Sequence, residues 1–485
     1  MVVNLFQRGR GKALLQSMEK AESYEQWSEL AAAWDHEEGL DDWKQDDACE
    51  SYDYCSIRQR LDVLRDLRFR KDYHQLLFVL NEGVHGNLGG MGKPSLYNKA
   101  RLGTKNLITR YIDELCGALN DLNEVDDKII SLAEKQDFFL RASHCNGRTA
   151  LMLSGGAVLG FFHAGVLKAL FDQGLLPEII SGSSAGSILA ATACTHVDEE
   201  LRERLSLDNL HHEVEQTSAI RPSLSLFGGG RAMDADNLRD YLAKIIPDLT
   251  FQEAFELTGR KLNITVTGLS TQQAPRLLNA ITSPNVLIRS AVTASCAIYG
   301  IYPPVTLMCR NAAGETVPYL PRMKWIDGSF ADDLPAKRLA RLYGVNHFIS
   351  SMTNPAALAI TPDPDAPRNR LRNLAHFQAR FLKIGAAEAM RFSRDNVRIK
   401  SPVLSLMQHL TYGVLAQEYT ADINIFLRNR WDHPLRLLAP PSREAMHRLI
   451  HEGERSTWEK IEMVRNCTAV SRTLDAILHT RGWEK

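Results

Sequence analysis

Apolar residues recur at three- and four-residue steps across 56–80 (Ile57, Leu61, Leu64, Leu67), with charged residues between them, and this spacing predicts helix. The run Asn81-Glu-Gly-Val-His-Gly-Asn-Leu-Gly-Gly-Met-Gly breaks the pattern with loop chemistry, and a second helical stretch runs from 106 to about 133. Residues 1–148 therefore read as a helical N-terminal domain. Beyond them the periodicity changes. Short apolar or β-branched runs at 150–153, 178–180, 262–267, 325–326 and 347–350 predict strands, alternating with helical spacing at 161–173, 187–194, 237–246 and 335–343. Such alternation predicts a three-layer α/β domain with a mainly parallel sheet over 149–350. Thr-Pro-Asp-Pro-Asp-Ala-Pro at 361–367 marks a turn-rich linker, and 351–485 reads as a helical C-terminal region.

The uncharged stretch 149–167 is long enough to cross a bilayer, but it holds four glycines and a histidine. A buried strand, a Gly-rich turn and a helix account for it better. Composition agrees: 485 residues with 44% hydrophobic and 24% charged side chains describe a globular chain of two or three domains. Lys plus Arg (57) balance Asp plus Glu (58), so no whole-chain attraction to nucleic acid is expected. The eight cysteines form no Cys-x-x-Cys pair and read as reduced thiols of a cytoplasmic protein. No secretory signal is read in Met-Val-Val-Asn-Leu-Phe-Gln-Arg, and no metal or organic cofactor is implied.

Chemistry concentrates in three places. Gly182-Ser183-Ser184-Ala185-Gly186 is a Gly-x-Ser-x-Gly between an apolar strand and a small-residue helix, the context of a nucleophile elbow. Gly182 and Gly186 permit the sharp turn, Ser184 should stand exposed at the head of the sheet, and the helix behind it directs its dipole there. Ser154-Gly155-Gly156-Ala157 also follows a strand and opens a helix, so the N–H groups of Gly155, Gly156 and Ala157 can cradle an oxyanion. Trp325-Ile326-Asp327-Gly328 ends a strand on an acid at a turn, which makes Asp327 a candidate general base.

The order Gly-rich loop, Gly-x-Ser-x-Gly, Asp-Gly resembles the patatin-like phospholipases. Leu151-Met-Leu-Ser-Gly-Gly, His163-Ala-Gly-Val-Leu-Lys-Ala-Leu, Ala294-Ser-Cys-Ala-Ile and Tyr302-Pro-Pro extend the likeness over about 149–350. Asp42-Trp43-Lys44, His85-Gly-Asn-Leu-Gly-Gly, Thr250-Phe-Gln-Glu-Ala-Phe and Gly453-Glu-Arg-Ser-Thr-Trp are similar to the fungal and plant triacylglycerol lipases of that family, including their N-terminal domain. The resemblance implies a Ser184–Asp327 dyad acting on a long-chain acyl ester, triacylglycerol or phospholipid, with no cofactor. Two positions depart from the family pattern: Ala157 replaces a third glycine and Leu159 a basic residue.

Two other functions stay open. A Ser-His-Asp enzyme needs a histidine after the acid, and His347, His376, His409, His433, His447, His451 and His479 all follow Asp327. A non-catalytic lipid- or membrane-binding protein on the same scaffold is the other. His36-Glu-Glu-Gly-Leu-Asp41 fits the His-x4-Asp spacing credited with acyl transfer in this branch, and reads as a solvated helix end. Between 368 and 400, nine basic and two acidic residues surround Leu371, Leu374, Phe377, Phe381 and Ile384 at helical spacing. Such a helix suits either an anionic bilayer or lipid-droplet surface, or packing on the core with a solvated basic face.

Overall fold

A computed structural model describes residues 2–84, 86–206, 209, 235–270, 273–360, 381, 384–393, 408, 411–417, 419–427 and 442–483. The chain divides into two compact units. One combines Met1–Thr149, Ala340–His347 and Trp458–Lys485, and the other Ala150–Leu339 and Phe348–Thr457. The C-terminal region expected at 351–485 is thus shared between them.

The first unit is built on amphipathic helices. Tyr54–Arg70 buries Ile57, Leu61, Leu64 and Leu67, and the Asp53 side chain caps it by accepting from the Ser56 N–H. The helix stops at Lys71, which takes left-handed backbone (φ 56°), and Asp72 then caps a separate helix, Tyr73–Asn81. The single stretch expected over 56–80 is therefore two helices. The stretch expected from 106 to about 133 ends at Glu124, and Leu132–Asn146 is a separate helix opened by a Ser131/Glu134 capping box. Asn106–Glu124 packs on Tyr54–Arg70 and on Ile461–Arg481, which also covers Leu132–Asn146. Each Leu or Ile buried along these seams contributes about 1.5–3 kcal/mol.

The second unit carries the sheet. Its strands are β1 (Arg148–Leu153), β2 (Ile179–Gly182), β3 (Lys261–Gly268), β4 (Arg276–Leu278), β7 (Trp325–Asp327), β8 (Val345–Met352) and β9 (Ile423–Phe426), while β5 (Met308–Arg310) and β6 (Thr316–Pro318) pair separately. The order is β4-β3-β2-β1-β8-β9, with β7 also on β3. Pairs β1–β2, β2–β3 and β8–β9 are parallel, whereas β4 and β7 run antiparallel to β3. With its flanking helices this is the expected three-layer α/β arrangement.

Register places the chemistry. Leu153 pairs with Gly182, and Gly182 with Ile264, so the loop after β1 and the turn after β2 leave the sheet together. Asp327, at the end of β7, pairs with Val266, two residues beyond Ile264. Ser184 is two residues beyond Gly182, so both converge on one sheet margin, the carboxyl ends of the parallel strands. The stretch 149–167 is strand, loop and helix start, and among the described residues no helix is long and apolar enough to cross a membrane.

Candidate active site

Ser184 joins β2 to the helix Ala185–Thr195 with φ 49° and ψ −125°, a backbone conformation that L-residues adopt only under constraint. Three contacts impose it. The Ser184 N–H donates to Ser295 Oγ at 3.0 Å, and that hydroxyl donates to the Thr265 carbonyl at 2.8 Å. Gly182 and Gly186 allow close passage: a Cβ on either would strike backbone, that of Gly186 or of Leu153 respectively. The Gly-rich loop presses on the serine, since a Cβ on Gly155 would lie 3.3 Å from Ser184 Cβ. For that reason Ser184, expected to stand exposed, is buried, with 7% of its surface accessible.

Asp327 is 1% exposed and accepts from the Ser329 N–H at 2.8 Å. Burial pushes its carboxyl up to about 6, while hydrogen bonds from Ser329 and from the Ser184 hydroxyl pull the other way. The structure thus brings together the serine and acid singled out in the sequence, and the acid is a stronger base than a solvated aspartate. Cys296 lies beneath, its thiol donating to the Ser184 carbonyl at 3.4 Å and held protonated by burial first and the nearby Asp327 second.

Of the three loop residues expected to offer N–H groups, Gly155 is already engaged. Its N–H donates to Asp333 Oδ1 at 2.8 Å. Gly156 and Ala157 have no acceptor for theirs among the described residues. Ala157, standing where the third glycine is usual, holds φ 49°, the left-handed region that glycine adopts without strain.

Asp333 was not singled out from the sequence. It is 1% exposed and also accepts from the Ser183 hydroxyl and from Asn354 Nδ2, the latter at 2.8 Å. Burial foremost, with repulsion from Asp327 adding, pushes its carboxyl up to about 7, against hydrogen bonds that favour the ion.

His163, in the helix Phe161–Asp172, is fully buried, and burial holds its imidazole down at about 4. Nε2 faces the Ser154 carbonyl at 2.9 Å and therefore carries the proton, leaving Nδ1 to accept from the Ser351 hydroxyl at 2.6 Å. It braces the base of the loop as a neutral group. Among the described residues no histidine bonds to Ser184 or Asp327; His347 Nδ1 meets Thr149 Oγ1 at 3.1 Å, and His451 pairs with Glu454. His376, His409 and His433 lie outside the described residues. His36 and Asp41 pair at 2.7 Å on the surface of the first unit, the solvated helix end expected.

No cluster of three metal-ligating side chains occurs among the described residues. Residues 151–340 match the family model for patatin-like phospholipases, and residues 4–144 match a domain of unknown function, DUF3336. Over most of its length the chain is similar to named relatives. It is 34% identical to triacylglycerol lipase ptl3 of Schizosaccharomyces pombe, with 96% of each chain covered. It is 33% identical to triacylglycerol lipase SDP1L of Arabidopsis thaliana over 94% of this chain and 57% of that one. Identity to triacylglycerol lipase 4 of Saccharomyces cerevisiae is 34%, over 95% of this chain and 52% of the relative. The chain thus spans nearly all of one relative and little more than half of the other two.

Proposed function

Since the chain belongs to the patatin-like phospholipase family, alongside fungal and plant triacylglycerol lipases, we propose that it is a serine lipid acyl hydrolase working through a Ser184–Asp327 dyad. The observation that carries this reading is the constrained Ser184 with its hydroxyl bonded to a buried, base-strengthened Asp327. Asp327 takes the hydroxyl proton as Ser184 Oγ attacks the ester carbonyl carbon. The oxyanion that forms accepts from the Gly156 and Ala157 N–H groups, because Gly155 is committed to Asp333. Collapse breaks the ester C–O bond, and the departing alkoxide takes the proton from Asp327. Water, deprotonated by Asp327, then attacks the acyl-enzyme; the fatty acid leaves and Ser184 regains its proton.

The substrate class is a long-chain acyl ester, triacylglycerol first, as the names of the relatives suggest, at a membrane or lipid-droplet surface reached from the cytoplasm. A fluorophosphonate probe and a panel of triacylglycerol, phospholipid and lysophospholipid test it. Ser184→Ala should lose both labelling and hydrolysis, and Asp327→Asn should lose hydrolysis to the same extent. Ser183→Ala should stay measurably active and lose far less than Ser184→Ala. Hydrolysis surviving in a folded Ser184→Ala variant sinks the reading, and a histidine variant that folds yet is equally dead restores a Ser-His-Asp mechanism.

A further inference from the structure

We propose that Asp333 is a positioning residue that locks the Gly-rich loop to the nucleophile elbow, a role that rests on the dyad reading. A single oxygen, Oδ1, receives both the Gly155 N–H at 2.8 Å and the Ser183 hydroxyl, while Oδ2 receives Asn354 Nδ2 at 2.8 Å. The donors come from three chain segments, those following β1, β2 and β8. Asp333 itself lies six residues beyond Asp327, on the short helix Ser329–Asp332 and its C-cap. Its own N–H donates to Gln417 Oε1 at 2.6 Å, and Gln417 Nε2 donates to the Ser329 carbonyl at 3.3 Å, which fastens the segment from both ends. Nucleophile, oxyanion loop and base are thereby tied through one buried side chain.

The geometry also says what the bond to Gly155 achieves. Drawing the first loop N–H toward Asp333 turns it away from the oxyanion position and sets the direction of the two that follow. Gly156 is fixed from its other side, where a Cβ would strike Thr353 Oγ1. Thr353 Oγ1 in turn donates to the Gly155 carbonyl at 3.1 Å, and the Thr353 N–H donates to Ser154 Oγ at 2.8 Å. Among the described residues every group hydrogen-bonded to the Asp333 carboxyl is a donor, so an uncharged acceptor in the same place should serve. Charge is also poorly favoured there, because the carboxyl is buried and Asp327 lies nearby.

The test uses the full chain, a soluble short-chain nitrophenyl ester, and thermal unfolding as a check on folding. Asp333→Ala should lower kcat by about 100-fold, the scale of losing one oxyanion donor, with KM almost unmoved and slower fluorophosphonate labelling. Asp333→Asn, which keeps the acceptor for Gly155 and Ser183, should restore most of kcat. Ser183→Ala, removing one of the three links, should cost roughly 10-fold in kcat. Should Asp333→Ala fail to fold, the Asn and Ser183 variants decide. Wild-type kcat in folded Asp333→Ala or in Ser183→Ala overturns the proposal, as does Asp333→Asn no better than Ala, which would assign the role to the charge. Ser184→Ala is measured beside them: if it stays active the dyad itself falls, whereas an inactive Ser184→Ala beside a fully active Asp333→Ala removes this assignment alone.

Discussion

Two non-glycine residues at the site hold left-handed backbone, Ala157 and Ser184, each at φ 49°. At Ser184 the strain serves the elbow; at Ala157 nothing but the path of the loop requires it. Ala157→Gly should therefore raise stability by about 1 kcal/mol, read as a higher unfolding midpoint, with kcat changed less than about threefold. Asp327 carries a cost of another kind. Its carboxyl titrates near 6 in the fold against 3.8 when solvated, so the folded chain holds the proton more tightly. Its contribution is fully present below about pH 4, declines as pH rises through 6, and leaves the fold weaker by on the order of 3 kcal/mol at neutrality. Asp327→Asn should accordingly be inactive yet more stable than wild type at pH 8, the gap closing below pH 4 in thermal melts. The same titration predicts an acid limb in kcat/KM near pH 6, because protonated Asp327 cannot accept from Ser184.

At the scale of elements, the helices Phe161–Asp172 and Arg443–Trp458 cross where glycines face each other. A Cβ on Gly165 would collide with the Ile450 carbonyl, and one on Gly453 with the Phe162 carbonyl. Backbone cannot move aside as a side-chain end can, so Gly165→Ala should cost at least about 2 kcal/mol in denaturant unfolding, despite its better helix propensity. Much of this architecture was legible beforehand. β1, β2, β3, β7 and β8 announce themselves as apolar runs ended by Gly, Ser or Asp, and the helices between them keep their spacing. β9 escaped notice because Ile-Asn-Ile-Phe is four residues long and sits among helical patterns, its place set by pairing with Ile349–Met352. The break at Lys71-Asp72 was hidden because apolar spacing continues across it. Ser184, Asp327 and the loop glycines are visible because their chemistry needs local motifs. Asp333 is not, because its partners Gly155, Ser183 and Asn354 lie 178, 150 and 21 residues away.

For the molecule as a whole, the proposed lipid surface calls for an interfacial element. Leu371, Leu374, Phe377, Arg368, Arg370 and Arg372 lie outside the described residues, while in the described part of the stretch Phe381 is 70%, Ile384 55% and Phe392 69% exposed. Replacing Arg368, Arg370 and Arg372 with Glu should weaken binding to anionic liposomes, at about 1 kcal/mol per cation lost and less at high salt, while sparing a soluble ester. Unchanged sedimentation with liposomes at low salt would assign the stretch to intramolecular packing. The discontinuity of the first unit reaches further, into biosynthesis. The helix Ile461–Arg481 completes the packing of Asn106–Glu124 and Leu132–Asn146, yet over 300 residues separate it from the first of these. At a ribosomal rate of about 5–20 residues per second, the early helices wait roughly 15–60 s for their cover. During that interval the apolar seam stays uncovered, and the nascent chain is at its most prone to aggregate until its last helix emerges.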